Sequence, residues 1–256
     1  MALEGVALRY GAFTAIEGIS FTVPPGQFVS LVGPTGCGKS SVLNLVAGLI
    51  GPSDGLVTTS GRPVTGVNGD CAYMFQGDAL LPWKSALANV ALGPILRRAS
   101  RRDAASLARE WLTRVGLRGF EDRYPHQLSG GQRRRVSMAQ ALINRLPILL
   151  MDEPFSALDA QTRVLMEQEL LALWQEQGAT VLFVTHDLEE AIALADRVVL
   201  FTAGPNAGLK GEYTVGLPRP RSVAEARFTP GFNEIYERVW SDLRSEVMAS
   251  YESQRS

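Results

Sequence analysis

Eight consecutive residues, Gly33-Pro34-Thr35-Gly36-Cys37-Gly38-Lys39-Ser40, have the make-up of an anion cradle. They fit the pattern G-x-x-x-x-G-K-[ST]. In such a loop the glycines let backbone N–H groups turn inward around phosphate oxygens. Lys39 brings a positive charge toward the β- and γ-phosphates, and Ser40 offers a hydroxyl to Mg²⁺. A second pair of reactive groups, Asp152-Glu153, follows the apolar run Ile148-Leu149-Leu150-Met151. A carboxylate at a strand end can hold a metal's coordination shell. The next carboxylate can accept a proton from, or orient, an attacking water. On this chemistry Asp152 goes to the metal and Glu153 to the water.

These groups need a frame. Phe28 to Val32 is a short apolar run consistent with a buried strand, and it leads straight into the glycine-rich loop. Ser41 to Ile50 then has apolar residues at helical spacing, so a helix N-terminus and its dipole face the anion. Ile19 to Val23 alternates like a half-buried strand, and Gly51 to Gly55 has turn chemistry. Ala72 to Phe75, Ile148 to Met151, Thr180 to Val184 and Arg197 to Phe201 read as further short strands. Thr162 to Gln177 and Leu188 to Ala195 read as helices. Strands alternating with helices predict a mostly parallel sheet covered by helices. From Ser85 to about Asn144 the pattern is helical, as in an inserted lobe. Gly204 to Arg221 is rich in Gly and Pro and predicts loops with one short hairpin. Phe232, Ile235, Val239, Trp240, Leu243 and Val247 then recur at helical spacing, predicting an amphipathic helix docked on its own domain.

Composition bounds the function. The 256 residues carry a net charge of −1, with 46% hydrophobic and 20% charged residues, which argues against disorder and against dominant nucleic-acid binding. The two cysteines, Cys37 and Cys71, make neither a metal cluster nor a disulfide framework. No secretion signal is visible, so a reducing cytosol is the default compartment. No apolar run reaches the ~18 residues of a membrane span, so any membrane role is expected to come through a partner.

The loop alone leaves a kinase, a GTPase, an AAA-type ATPase and a transporter ATPase all open. Leu128-Ser129-Gly130-Gly131-Gln132, at the start of the helical stretch Arg133 to Asn144, narrows the choice. It resembles the signature sequence of ATP-binding-cassette (ABC) ATPases, although Ser129 by itself would serve as a helix N-cap. Asp152-Glu153 then resembles the family's strand-end carboxylates, and Ser156-Ala157-Leu158-Asp159 its D-loop. His186 resembles its switch histidine and Gln76 its Q-loop glutamine, a ligand for Mg²⁺ or the water. Tyr10 resembles the aromatic that stacks on adenine, with a packed strand-end tyrosine as the competing view. Ser41 stands where a threonine is common, and Gln140 where an arginine is common. The resemblance runs from Tyr10 to Phe201 and implies a P-loop, RecA-like α/β core with an antiparallel β edge and an inserted helical signature subdomain. It places one ATPase domain at 1–203 (core 1–83 and 146–203, helical subdomain about 84–145) and an extension with an amphipathic helix at 204–256. It implies that ATP and Mg²⁺ are bound by Tyr10, by Gly33 to Ser41 and by Asp159, and by Ser129 to Gln132 of a second copy.

Leu80-Leu81-Pro82-Trp83 and Leu217-Pro218-Arg219-Pro220-Arg221 resemble the nitrate, sulfonate and taurine importer subfamily, unless Trp83 simply packs the helical lobe. That resemblance implies a head-to-tail homodimer on the cytoplasmic face of the membrane. It also implies a multi-span permease and, indirectly, an extracytoplasmic substrate-binding protein, with no nucleic acid. An export ATPase and a non-transport ABC ATPase acting on ribosomes or DNA remain the alternatives. The cluster Arg97, Arg98, Arg101 and Arg102 fits either a solvated face or anionic lipid headgroups. Cys37 lies inside the loop, so alkylating it is expected to block ATP binding sterically.

Overall fold

The computed structural model describes residues 1–253. A six-stranded sheet carries the fold, in the order β10 (Leu209–Thr214), β9 (Arg197–Phe201), β3 (Phe28–Val32), β8 (Thr180–Val184), β7 (Ile148–Asp152), β6 (Cys71–Met74). From β9 to β6 every neighbouring pair is parallel. These strands read as unbroken apolar runs because both sheet faces are covered. In β7, Leu149 and Met151 join one core while Ile148 and Leu150 join the other, the period-two alternation of a strand. A second, antiparallel sheet lies alongside, in the order β2 (Phe13–Thr22), β1 (Ala2–Tyr10), β4 (Asp54–Thr59), β5 (Arg62–Pro63).

The helices are α1 (Lys39–Val46), α2 (Ala86–Val90), α3 (Leu92–Leu96), α4 (Arg101–Arg114), α5 (Gly130–Leu142), α6 (Ala160–Gln177), α7 (Leu188–Leu194) and α8 (Phe232–Ser253). Helices α2, α4 and α5 share one core, with Trp111, Leu112 and Val136 in it. Their starts follow ordinary cap chemistry: Ser85, Ser100, Ser129 and, for α6, Asp159 each accept a backbone N–H with their side chains.

Two expectations are corrected. The segment 204–221 supplies no hairpin of its own; β10 runs antiparallel to β9 and extends the main sheet. Strands β1 and β4 carry no clean alternation, because register shifts break the β1 ladders on both sides, and the turn expected at Gly51–Gly55 gives way to β4 at Asp54. Helix α8 packs as its spacing predicts: Phe232, Val239 and Leu243 are buried against α7 and β10, whereas Trp240 is 47% exposed.

The Leu217-to-Arg221 segment has a physical role. Arg221 is buried and donates to the carbonyls of Ile192, Ala193 and Ala195 at the end of α7, and to Val215 and Leu217. Arg219 pairs with Asp196 at 2.7 Å and lies 4.3 Å over the Trp174 ring. The extension thereby grips α7, whose other end follows His186.

Candidate functional site

Four parallel strands deliver the candidate residues from their carboxyl ends, where ligands of open α/β sheets bind. Strand β3 opens into Gly33, β6 is followed by Gln76, β7 ends at Asp152 before Glu153, and β8 is followed by Thr185 and His186. Gly38, at φ 89°, leads into α1, and a Cβ there would stand 2.7 Å from Ile16 Cγ1, so only glycine fits. Lys39 is buried, and its Nζ donates to the Gly33 and Pro34 carbonyls at 2.8 and 2.9 Å, stitching the loop across its mouth. Ser40, the next residue, lies beside the Asp152 carboxylate at the end of β7. Burial pushes that carboxyl above its ordinary range, against the pull of Ser40 and Lys39.

Glu153 stands in the left-handed region at φ 44°, a conformation that surroundings must enforce. Its Oε2 accepts from Gln76 Nε2 at 3.2 Å, and its Oε1 lies 3.5 Å from His186 Nδ1. Three residues separated widely in sequence thus meet on one carboxylate. His186 is two-thirds exposed, so that meeting point is open to solvent.

Ser129 caps α5 through a capping box with Gln132, and both face outward. Among the described residues, no hydrogen bond joins Ser129 to Gln132 with Gly33 to Ser40. A Cβ on Gly131 would lie 3.7 Å from the Ala157 carbonyl, so the signature segment abuts the Ser156-to-Asp159 loop. Asp159 caps α6 by accepting from Thr162 N at 3.0 Å. Tyr10 ends β1 opposite Phe13 and is 55% exposed, an open ring rather than a packed one.

Cys37 departs from expectation. Its side chain is fully buried with Ile16, Val42 and Phe201 beneath the loop, and burial pushes the thiol above its ordinary pKa. From the core side of the loop its Sγ accepts from Lys39 Nζ at 3.5 Å. Trp83 is also corrected against the packing alternative, being 70% exposed. Its turn is held by the buried Asn89, which accepts from Leu81 N and donates to the carbonyls of Leu81, Lys84 and Ser85.

The run Arg133-Arg134-Arg135 reads in sequence as a generic basic stretch; in the fold each arginine has its own partners. Arg133 pairs with Asp78 at 2.8 Å, and Arg135 donates to the carbonyls of Val115 and Gly116. Arg134, only 2% exposed, reaches the backbone beside both Gln76 and Glu153. Nothing in the spacing marks it out from its neighbours.

A phosphate-binding loop, strand-end carboxylates and an outward-facing signature helix define a P-loop nucleotide hydrolase of the cassette type. The family model described as ABC transporter matches residues 16–156. The aliphatic sulfonates import ATP-binding protein SsuB 2 of Pseudomonas aeruginosa is 46% identical over 93% of this chain and 84% of its own length. The nitrate import ATP-binding protein of Synechococcus elongatus is 41% identical over 96% of this chain, which spans only 36% of that relative. The dimeric post-hydrolysis structure of an ATP-binding cassette bound to ADP and Pi superposes with a TM-score of 0.75 at 31% identity, covering 84% of this chain and 98% of that one. The chain belongs to the ABC transporter family and is one of its ATP-hydrolysing, ATP-binding proteins.

Proposed function

We propose that the chain energises import of a small anionic solute, of the nitrate or alkanesulfonate kind, by hydrolysing ATP beneath a separate membrane permease. The observation that carries the ATPase part is the meeting of Gln76, Glu153 and His186 beside the loop that holds Lys39 and Ser40. The import relatives support the direction and the solute class. Among the described residues no helix is long and apolar enough to cross a membrane, consistent with a peripheral subunit on the cytoplasmic face. A multi-span permease and an extracytoplasmic solute-binding protein would complete the system.

In this reading the backbone of Gly33 to Ser41 and the Lys39 ammonium hold the β- and γ-phosphates, and Tyr10 stacks on the adenine. Two copies close head to tail, so that Ser129 to Gln132 and Asp159 of one cover the γ-phosphate held by the other. Glu153 orients the attacking water and draws on its proton, His186 steadies the γ-phosphate, and ADP departs as the γ-phosphoryl group passes to that water. The hard oxygen donors of Ser40 and Asp152, with the Gln76 amide, suit Mg²⁺, and a divalent charge would offset the burial that disfavours ionised Asp152. Bound there, Mg²⁺ would neutralise charge developing on the phosphates. Lys39 releases its two carbonyls when phosphate oxygens take their place.

A groove of about 470 Å³ between the Gln76 segment and the helical lobe, lined by Tyr73, Phe75, Leu96 and Gln140, is the surface best placed to pass this movement to the permease. The exposed Trp83 lies on the same segment of chain. Purification from native membranes tests the proposal: recovery with a multi-span permease supports it, and recovery with ribosomes and no membrane protein contradicts it.

A further inference from the structure

Arg134 has five N–H donors, and the structure uses all five on backbone carbonyls. Its Nε donates to Pro154 at 2.7 Å, Nη1 to Phe75 and Gln76 at 2.5 and 3.0 Å, and Nη2 to Asp152 and Glu153 at 2.8 Å each. No carboxylate takes part in these bonds. The five acceptors belong to two chain segments that leave neighbouring strands, β6 and β7, and carry Gln76 and Glu153. Among the described hydrogen bonds outside the β6–β7 ladder, none but Arg134's reaches the Phe75 or Gln76 carbonyl. Glu153 meanwhile sits at positive φ and needs an external hold. Arg134 itself rides on α5, five residues after the Ser129 cap.

We propose that Arg134 is a positioning residue for ATP hydrolysis: it fixes the Gln76 segment against the Glu153 turn and transmits displacement of the signature helix to both. This rests on the roles proposed above for Gln76 and Glu153. A planar fork with five fixed donors is the only side chain that can satisfy these carbonyls together; lysine has three donors and no fork. The buried guanidinium is a rigid strut between the part of the site that senses the helical lobe and the part that orients water. It is buried and all its donors end on backbone carbonyls, so its loss acts on geometry rather than on binding.

The test compares wild type, Arg134→Lys, Gln76→Ala and their double variant, measuring steady-state hydrolysis by the purified chain and equilibrium binding of a fluorescent ATP analogue. Arg134→Lys is expected to lose about tenfold or more in kcat, since small misplacement of reacting groups is costly, while the nucleotide Kd shifts by less than about threefold. The double variant is expected to be little slower than the slower single variant, because both changes break one linkage. Full kcat in folded Arg134→Lys, or losses that multiply in the double variant, would overturn the proposal. So would failure of Arg134→Lys and of a parallel Arg134→Gln variant to fold or bind ATP, which would leave Arg134 a role in stability alone. Glu153→Gln, assayed in the same series, separates the two readings: normal hydrolysis there refutes the assignment of Glu153 whatever Arg134→Lys does.

Discussion

Gln76 Nε2 donates to Glu153 Oε2 at 3.2 Å, and His186 Nδ1 approaches the other oxygen of the same carboxylate at 3.5 Å. The ends of three parallel strands are thus read by one side chain. A shift of any strand end moves the carboxylate proposed to orient the attacking water. His186→Ala is expected to lower kcat by about 10–100-fold while changing ATP affinity little, the pattern of a group that acts mainly in the transition state. Paired kcat and Kd measurements check it; a large loss of affinity with unchanged kcat would contradict it.

Cys37 offers a reagent almost nothing to attack. Its thiol is covered and, through burial, pushed above the ordinary cysteine pKa, so little of the reactive thiolate exists at neutral pH. Native chain treated with iodoacetamide is expected to retain its ATPase activity, and mass spectrometry is expected to find Cys37 unmodified until the chain is denatured. Rapid stoichiometric labelling of the native chain would contradict the burial.

Glu167 on α6 and Glu190 on α7 are both buried, and their carboxyls hydrogen-bond each other. Loss of solvent is the main cause raising both, Glu190 to about 8, with Thr185, Arg163 and Asp187 as further groups acting on the pair. The folded chain therefore holds a proton that the unfolded chain releases near the ordinary glutamate range. The pair's stabilisation is fully present at low pH and is lost as pH rises toward about 8. Glu167→Gln keeps a hydrogen bond and removes one titrating group. Its thermal midpoint is expected to fall less than wild type's between about pH 6 and about pH 8, by about 2–4 °C. Parallel curves for the two proteins would contradict this.

Arg221 caps α7 through three carbonyls and ties three more, those of Val215, Leu217 and Pro218, from the segment before it. Arg221→Ala leaves those acceptors buried and unpaired, for an expected loss of about 2–4 kcal/mol in denaturant unfolding. A loss under about 0.5 kcal/mol, the level of a plain surface substitution, would contradict the cap.

The sequence shows the catalytic layout more fully than the frame. The phosphate loop, the strand-end carboxylates and the core strands are legible because glycine placement and unbroken apolar runs have direct physical causes in Gly38 and in the doubly covered β7. Strand β1 is illegible because its register shifts destroy alternation. Strand β10 is hidden by the Gly- and Pro-rich stretch around it. Arg134 could not be told from Arg133 and Arg135, since its role depends on carbonyls some 20 and 60 residues away, in register only after folding. Spacing puts Cys37 in the loop but does not show that its thiol turns into the core, because spacing locates a backbone and not the direction of a side chain.

In the proposed dimer one chain holds half of the hydrolytic site and a second copy supplies Ser129 to complete it. Sedimentation of Glu153→Gln with ATP and Mg²⁺ tests this most directly. An ATP-dependent dimer is expected, one that disappears when Ser129→Arg is added in the same chain. An ATP-bound monomer at all protein concentrations, or a dimer indifferent to Ser129→Arg, would contradict it.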